Sequence, residues 1–248
     1  MRKDVHVSLY IVATPIGNLE DITYRAVKTL GQVDMILAED TRVTKKLLDH
    51  YSIVKPMFSY HDFNKEKVTP QIIKRLKNNE EIALVSDAGT PGIADPAFNL
   101  VREAIRENIK VIPIPGASAI LSAIVCSGLP TDRFVFEYFL AHKSSQRIRF
   151  FEGLISEPRT VVFYETPHRI VKVLNEMKQV LPDITLVIGR ELTKIYEEFL
   201  RGTPEELLAH FAKKPPKGEM VVLVNTRIKM VQQNDAADNK DCSDRLIY

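Results

Sequence analysis

Residues 82–105 read IALVSDAGTPGIADPAFNLVREAI, and this stretch decides the fold. Ile82 to Ser86 is a short apolar run of strand length, too brief for a helix. The polar, glycine-bearing segment Asp87-Ala88-Gly89-Thr90-Pro91-Gly92 breaks it. Asp95-Pro96 then reads as an N-cap followed by proline at the first helical position. Phe98, Val101 and Ile105 recur at helical spacing beyond it. Strand, loop and helix in that order make half of a βαβ unit, which demands a parallel partner strand.

The same pattern extends outward in both directions. Ser8 to Ala13, Val33 to Ala38, Pro56 to Tyr60 and Lys110 to Pro113 are further strand-like runs, and Val68, Ile72 and Leu76 keep helical spacing between them. In the second half the strands expected are Arg133 to Phe139, Thr160 to Tyr164, Ile184 to Ile188 and Met220 to Asn225. Thr166-Pro167 opens a helix carried by Ile170, Leu174, Met177 and Leu181, and Thr203-Pro204-Glu205-Glu206 reads as a capping box. Too few residues separate Ile184 from Gly202 for a crossover helix, so an extended Tyr196 to Leu200 must pair locally and the second sheet must be mixed. The reading is two α/β domains, 1–117 with a mostly parallel sheet and 118–225 with a mixed one, followed by a polar tail at 226–248.

Composition bounds the rest. The chain has 248 residues, 45% of them hydrophobic and 27% charged, enough to bury a core without disulfide or metal staples. Cys126 and Cys242 form no ligand pattern, which points to a reducing compartment and away from zinc. The longest apolar stretch, Ala117 to Cys126, is too short for a bilayer, and Val7 to Ala13 reads as a buried first strand rather than a secretory signal, so a cytoplasmic location is expected. A net charge of +2 carries no message about nucleic acid, leaving only local clustering to do so.

In open α/β sheets ligands bind beyond the carboxyl ends of the strands. The loops there are Thr14-Pro15-Ile16-Gly17-Asn18, Glu39-Asp40-Thr41-Arg42, Asp87 to Gly92 and Pro115-Gly116-Ala117-Ser118-Ala119. Glycine in such turns lets a ligand approach the backbone. No G-x-G-x-x-G, phosphate loop or H-E-x-x-H is present, and Glu39, Asp40, Asp87 and Asp95 suit a ribose hydroxyl or a cationic centre better than a polyphosphate. The second half is basic at its edges: Lys143, Arg147 and Arg149, then His168-Arg169, then Arg190 and Lys194. Together these suit the phosphates of a nucleic acid.

Seven stretches, in order, resemble one family. They are Leu9 to Leu19, Ala38 to Arg42, Ser59 to His61, Ser86 to Gly92, Glu165 to Arg169, Arg190 to Lys194 and Lys217 to Glu219. The chain is similar through them to bacterial small-subunit ribosomal RNA methyltransferases of the tetrapyrrole methylase superfamily. The resemblance implies a homodimer of two α/β domains with S-adenosylmethionine in the cleft between them, and methyl transfer to the ribose 2′-hydroxyl of a cytidine in small-subunit (16S) ribosomal RNA. Carried onto this chain, Thr14, Pro15, Asp87, Gly89, Thr90, Pro91, Gly92, Ile93, Pro115, Gly116, Ala117, Ser118 and Ala119 would bind the cofactor, with no metal. Glu191 would be the base, Lys194 and Arg169 its catalytic companions, and Lys143, Arg147, Arg149, His168, Arg169 and Arg190 would hold RNA. Glu165 and Lys194 are, by sequence position, the other candidate bases. The chain departs from the family at Tyr138-Phe139-Leu140-Ala141, where Gly-Phe-Leu-Pro is usual, at Ala94 and at Ala117.

Three other readings stay open at this point. The same fold methylates small tetrapyrrole-like metabolites; Ser118, after a strand and before a helix, is placed like a hydrolase nucleophile but lacks the final glycine of that elbow; and the basic rim alone would serve a non-enzymatic RNA-binding protein.

Overall fold

The computed structural model describes residues 7–227. The expected tail therefore lies, from residue 228 on, outside the described residues. The chain forms two compact units. Residues up to Ser122 together with Glu191–Glu198 make the first, and Ala123–Arg190 with the chain from Phe199 make the second. A single cut after residue 117 misses the eight residues that return to the first unit, because that return depends on tertiary contacts rather than on any local pattern.

In the first unit β1 (Ser8–Val12), β2 (Met35–Ala38), β3 (Met57–Ser59), β4 (Ile82–Val85) and β5 (Lys110–Ile114) form an all-parallel sheet in the order β3-β2-β4-β1-β5. Its inner strands β2 and β4 are apolar runs because both faces are covered. Leu9, Met35, Leu37, Ile82 and Leu84 point to one face, where α3 (Lys65–Lys77) and α4 (Ala97–Arg106) supply Ile72, Leu76, Leu100 and Ala104. The alternate residues Val12, Ile36, Ala38, Ala83 and Val85 point to the other, where α1 (Tyr24–Gln32) and α2 (Thr41–His50) supply Ala26, Leu30 and Leu48. Period-two alternation thus builds two cores from one sheet.

Helix α5 (Ala119–Val125) carries the chain into the second unit. There β6 (Phe134–Phe139), β7 (Thr160–Glu165), β8 (Leu186–Arg190), β9 (Glu198–Gly202) and β10 (Met220–Val224) are ordered β6-β7-β10-β8-β9. β6 runs parallel to β7, and β10 runs antiparallel to both β7 and β8, so the sheet is mixed. β9 lies next to β8, the local pairing that the short 184–202 segment requires. Helices α6 (Ser144–Leu154), α7 (Pro167–Val180) and α8 (Pro204–Lys213) close one core around Phe163, Ile188 and Val222. The capping box is present: Thr203 Oγ1 accepts from the Glu206 amide, and the Glu206 carboxylate accepts from the Thr203 amide.

Boundaries shift by one to three residues where caps decide them. Asp95 lies one residue before the N-cap, Pro96, yet still accepts from the Ala97 amide at 2.9 Å. Among the described residues no helix is long and apolar enough to cross a membrane, and no group of three His, Cys, Asp or Glu is placed to hold a metal.

Candidate active site

The chain leaves β1 toward α1 on one face of the first sheet and leaves the neighbouring β4 toward α4 on the other. The two loops therefore diverge at this pair, the switch point where open α/β sheets take their ligands. At their roots Thr14 and Gly89 exchange two backbone hydrogen bonds, 2.9 Å and 3.1 Å. Thr14 Oγ1 also donates to the Ser86 carbonyl at 3.2 Å, and Pro15 is buried behind it. Gly89 sits at φ 80°, in the left-handed region that favours glycine.

The loop after β5 closes against the same edge. A side chain on Gly116 would bring its Cβ within 2.9 Å of Ala13 Cβ, so only glycine permits the approach. Thr90 Oγ1 donates to the Ala117 carbonyl at 3.2 Å, and the Asp40 amide donates to Asp87 Oδ1 at 2.9 Å. All four loops are thus joined by hydrogen bonds or close packing. Gly92 and Ile93 are exposed, Gly92 has φ 91°, and a Cβ there would meet nothing within 4 Å. The Gly92 amide itself is taken by both oxygens of Asp95, at 2.8 and 2.9 Å. The turn therefore offers open space above its backbone. Burial, then the neighbouring Asp87 charge, pushes the Glu39 carboxyl above its ordinary range, and burial does the same to Asp95. Ser118 Oγ accepts from the Leu121 amide at 3.4 Å, a helix-capping contact rather than the setting of a nucleophile.

The returning segment 191–198 brings acid and base to this unit. Lys194 Nζ lies 3.0 Å from Glu191 Oε1. The lysine stem crosses the turn after β1 so closely that a Cβ on Gly17 would stand 2.4 Å from Lys194 Cγ. Glu191 at φ 49° and Thr193 at φ 65° both hold left-handed backbone, which is uncommon for non-glycine residues and an outlier for a β-branched one. Such strain persists only where surroundings impose it, and it concentrates at functional sites. No local pattern in the chain signals that Gly17 seats Lys194.

The basic residues of the second unit divide into two groups. Arg147, expected on the RNA rim, is only 2% exposed. Its Nε and Nη2 reach the Glu176 carboxylate at 2.7 and 2.6 Å, and Nη1 donates to the Ala141 and His142 carbonyls. It is a structural residue and does not line the exposed rim, because its charge is spent on Glu176. Burial alone would raise Glu176, but the Arg147 and Ser144 hydrogen bonds outweigh it and hold its carboxyl below the usual range. The signal was an acid beside Met177 on the apolar side of α7, which demands a cation. Arg190 is likewise buried, with Nη1 3.2 Å from the Lys217 carbonyl, and so does not line the rim either. Arg169 is part-buried: Nε lies 3.3 Å from Glu165, and Nη2 donates to the Leu140 carbonyl at 2.7 Å. It holds the loop after β6. Lys143, Arg149 and His168 are exposed as expected. Glu165 is buried, which raises its pKa, and its Oε2 has no hydrogen-bond partner.

Residues 8–208 match the family Tetrapyrrole (Corrin/Porphyrin) Methylases. The protein named Ribosomal RNA small subunit methyltransferase I of Synechocystis sp. is 50% identical over 217 residues, 87% of this chain and 78% of its own. Its namesake from Thermotoga maritima is 47% identical, over 88% of this chain and 97% of its own. Among solved structures, a cobalt precorrin-4 methyltransferase of cobalamin biosynthesis superposes with a TM-score of 0.68 at 18% identity, covering 91% of this chain and 97% of the other. Diphthine synthase does so at 0.67 and 16%, over 88% and 89%. At that identity the two structures share the fold.

Proposed function

Since the chain belongs to the Tetrapyrrole (Corrin/Porphyrin) Methylases, we propose that it is an S-adenosylmethionine-dependent methyltransferase of ribosomal RNA, acting on the ribose 2′-oxygen of a cytidine in the small-subunit (16S) molecule. The observation that carries this reading is the near-half identity to relatives named for small-subunit ribosomal RNA, which runs through both units rather than the first alone. Fold likeness by itself would leave the substrate open. We read the working protein as a cytoplasmic homodimer.

Thr14, Pro15, Asp87, Gly89 to Ile93 and Pro115 to Ala119 fit the cofactor by chemistry. Their loops pack closely, leave space above Gly92, and present carboxylates rather than the amide nest of a polyphosphate site. S-adenosylmethionine, when bound, supplies an electrophilic methyl that already carries its leaving group. The protein must then orient the hydroxyl, keep water away and accept a proton. Glu191 is the acceptor in this reading. Its ion pair with Lys194 orients the carboxylate, and Lys194 serves in this reading as its donor partner. Lys143, Arg149 and His168 take phosphates, and Arg169 positions the loop from which Lys143 projects.

The test is methyl transfer from isotopically labelled S-adenosylmethionine to small-subunit ribosomal RNA, offered free and as the assembled subunit, with nucleoside mass analysis of the product. Labelled 2′-O-methylcytidine is expected. Label on a base, or transfer only to a tetrapyrrole, refutes the substrate assignment.

A further inference from the structure

The C-terminal end of β6 has a feature the reaction above does not use. Phe136 pairs with Val162 and Phe139 with Tyr164, so β6 spends three steps where β7 spends two. The extra residue makes a bulge, a device that re-aims side chains at a sheet edge. Tyr138 lies inside it at φ 55°, a conformation that costs a bulky residue strain. Both Tyr138, 49% exposed, and Phe139, 39% exposed, face solvent. Their rings meet edge to face at 5.2 Å and 89°, and Phe139 is backed by the Tyr164 ring at 5.5 Å.

The backbone just past the bulge is locked from beneath. The carbonyls of Leu140, Ala141 and His142 all accept from Arg147 or Arg169, and those guanidiniums are themselves held by Glu176 and Glu165. Next along the chain stand Lys143 and, on α6, Arg149, both exposed and without an ion-pair partner among the described residues. Exposed rings at the end of β6, followed closely in the chain by unpaired cations, match one chemistry well: an unpaired base stacks on the rings while phosphates meet the cations. A protein partner of the apolar kind would give those cations nothing to answer.

We infer that Tyr138 and Phe139 form a stacking platform for an unpaired base of the substrate RNA, flanked by Lys143 and Arg149 as phosphate contacts. The inference rests on the reading of the protein as an RNA methyltransferase and names the residues that select a single-stranded target.

The probe is an oligoribonucleotide hairpin with 2-aminopurine in its loop, whose fluorescence is quenched on stacking. Tyr138→Gly relieves the backbone while deleting the ring, so it should fold at least as well as the parent. It should weaken hairpin binding about 5- to 150-fold and abolish the quench. Phe139→Ala should act alike, whereas Tyr138→Phe should retain both signals. Cofactor affinity, by calorimetry, should not change. Unaltered quench and affinity in Tyr138→Gly and Phe139→Ala, with methyl transfer to ribosomal RNA intact, overturns the platform and leaves the enzymatic reading standing. A shift in sedimentation on Tyr138→Gly overturns it in favour of a subunit interface. A parent protein that binds S-adenosylmethionine but no RNA overturns both.

Discussion

Replacing Gly17 by alanine perturbs a close contact between the turn after β1 and the Glu191–Lys194 pair. The added Cβ would stand 2.4 Å from Lys194 Cγ, 2.9 Å from Cε and 3.2 Å from Cδ. Because three stem carbons are involved, swinging the ammonium aside does not relieve the clash. Restoring ordinary contact requires the stem to move by about 1 Å or more, enough to break a 3.0 Å pair with Glu191. The cost to folding should be small. A part-exposed ion pair contributes roughly 0–1 kcal/mol, and Gly→Ala at unstrained backbone returns about 0.4–1 kcal/mol through the unfolded chain. The expected melting curve is therefore close to that of the parent. The single-turnover methyl-transfer rate should instead drop by about 100-fold, the scale on which a 1 Å misplacement acts. Cofactor affinity measured in parallel separates a lost site from a misplaced proton acceptor. A folded Gly17→Ala protein with full affinity and an unchanged single-turnover rate would refute the placement of Glu191 and Lys194 at the reaction.

Gly92→Glu should reduce S-adenosylmethionine affinity by at least about tenfold in calorimetry, while Gly92→Ala, which bears the same backbone strain with far less bulk, should retain most of it. Arg147→Ala strands a buried carboxylate and should cost about 3–5 kcal/mol in urea unfolding, whereas an RNA anchor would leave stability alone. The folded Glu176 pKa lies below its unfolded value, so its contribution is present above about pH 4.5 and is lost as pH falls through the depressed folded value. Comparing the parent with Glu176→Gln at pH 7 and pH 3 should show the larger stability difference at pH 7. Lys143→Ala and Arg149→Ala should each lower the slope of log affinity against log salt by about 0.7 for a single-stranded RNA, with cofactor binding untouched.

The parallel first sheet was readable because both of its faces are buried, which writes uninterrupted apolar strands such as Met35–Ala38 and Ile82–Val85 into the sequence. The capping box at Thr203 and the local pairing of β9 were readable for a like reason: each depends on residues close in the chain. The basic rim was only half readable. Sequence shows that Arg147 and Arg149 are charged, but which of them faces α7 depends on Glu176, 29 residues away. The seat of Lys194 on Gly17 is a contact of the same kind. At Tyr138 the departure from the family's usual glycine was visible, while the left-handed backbone that makes it informative was not.

The return of Glu191–Glu198 to the first unit also bears on how the protein is made. Domains tend to fold as they emerge during synthesis, the N-terminal one first. Here a nascent chain ending at Ser122 has both sheet cores of its first unit but lacks the segment that covers Gly17. That piece arrives only after β6, α6, β7, α7 and β8 have been translated. The ribosome therefore releases the glycine loops before the carboxylate that would act beside them, and an early fragment able to bind cofactor would be unable to turn over.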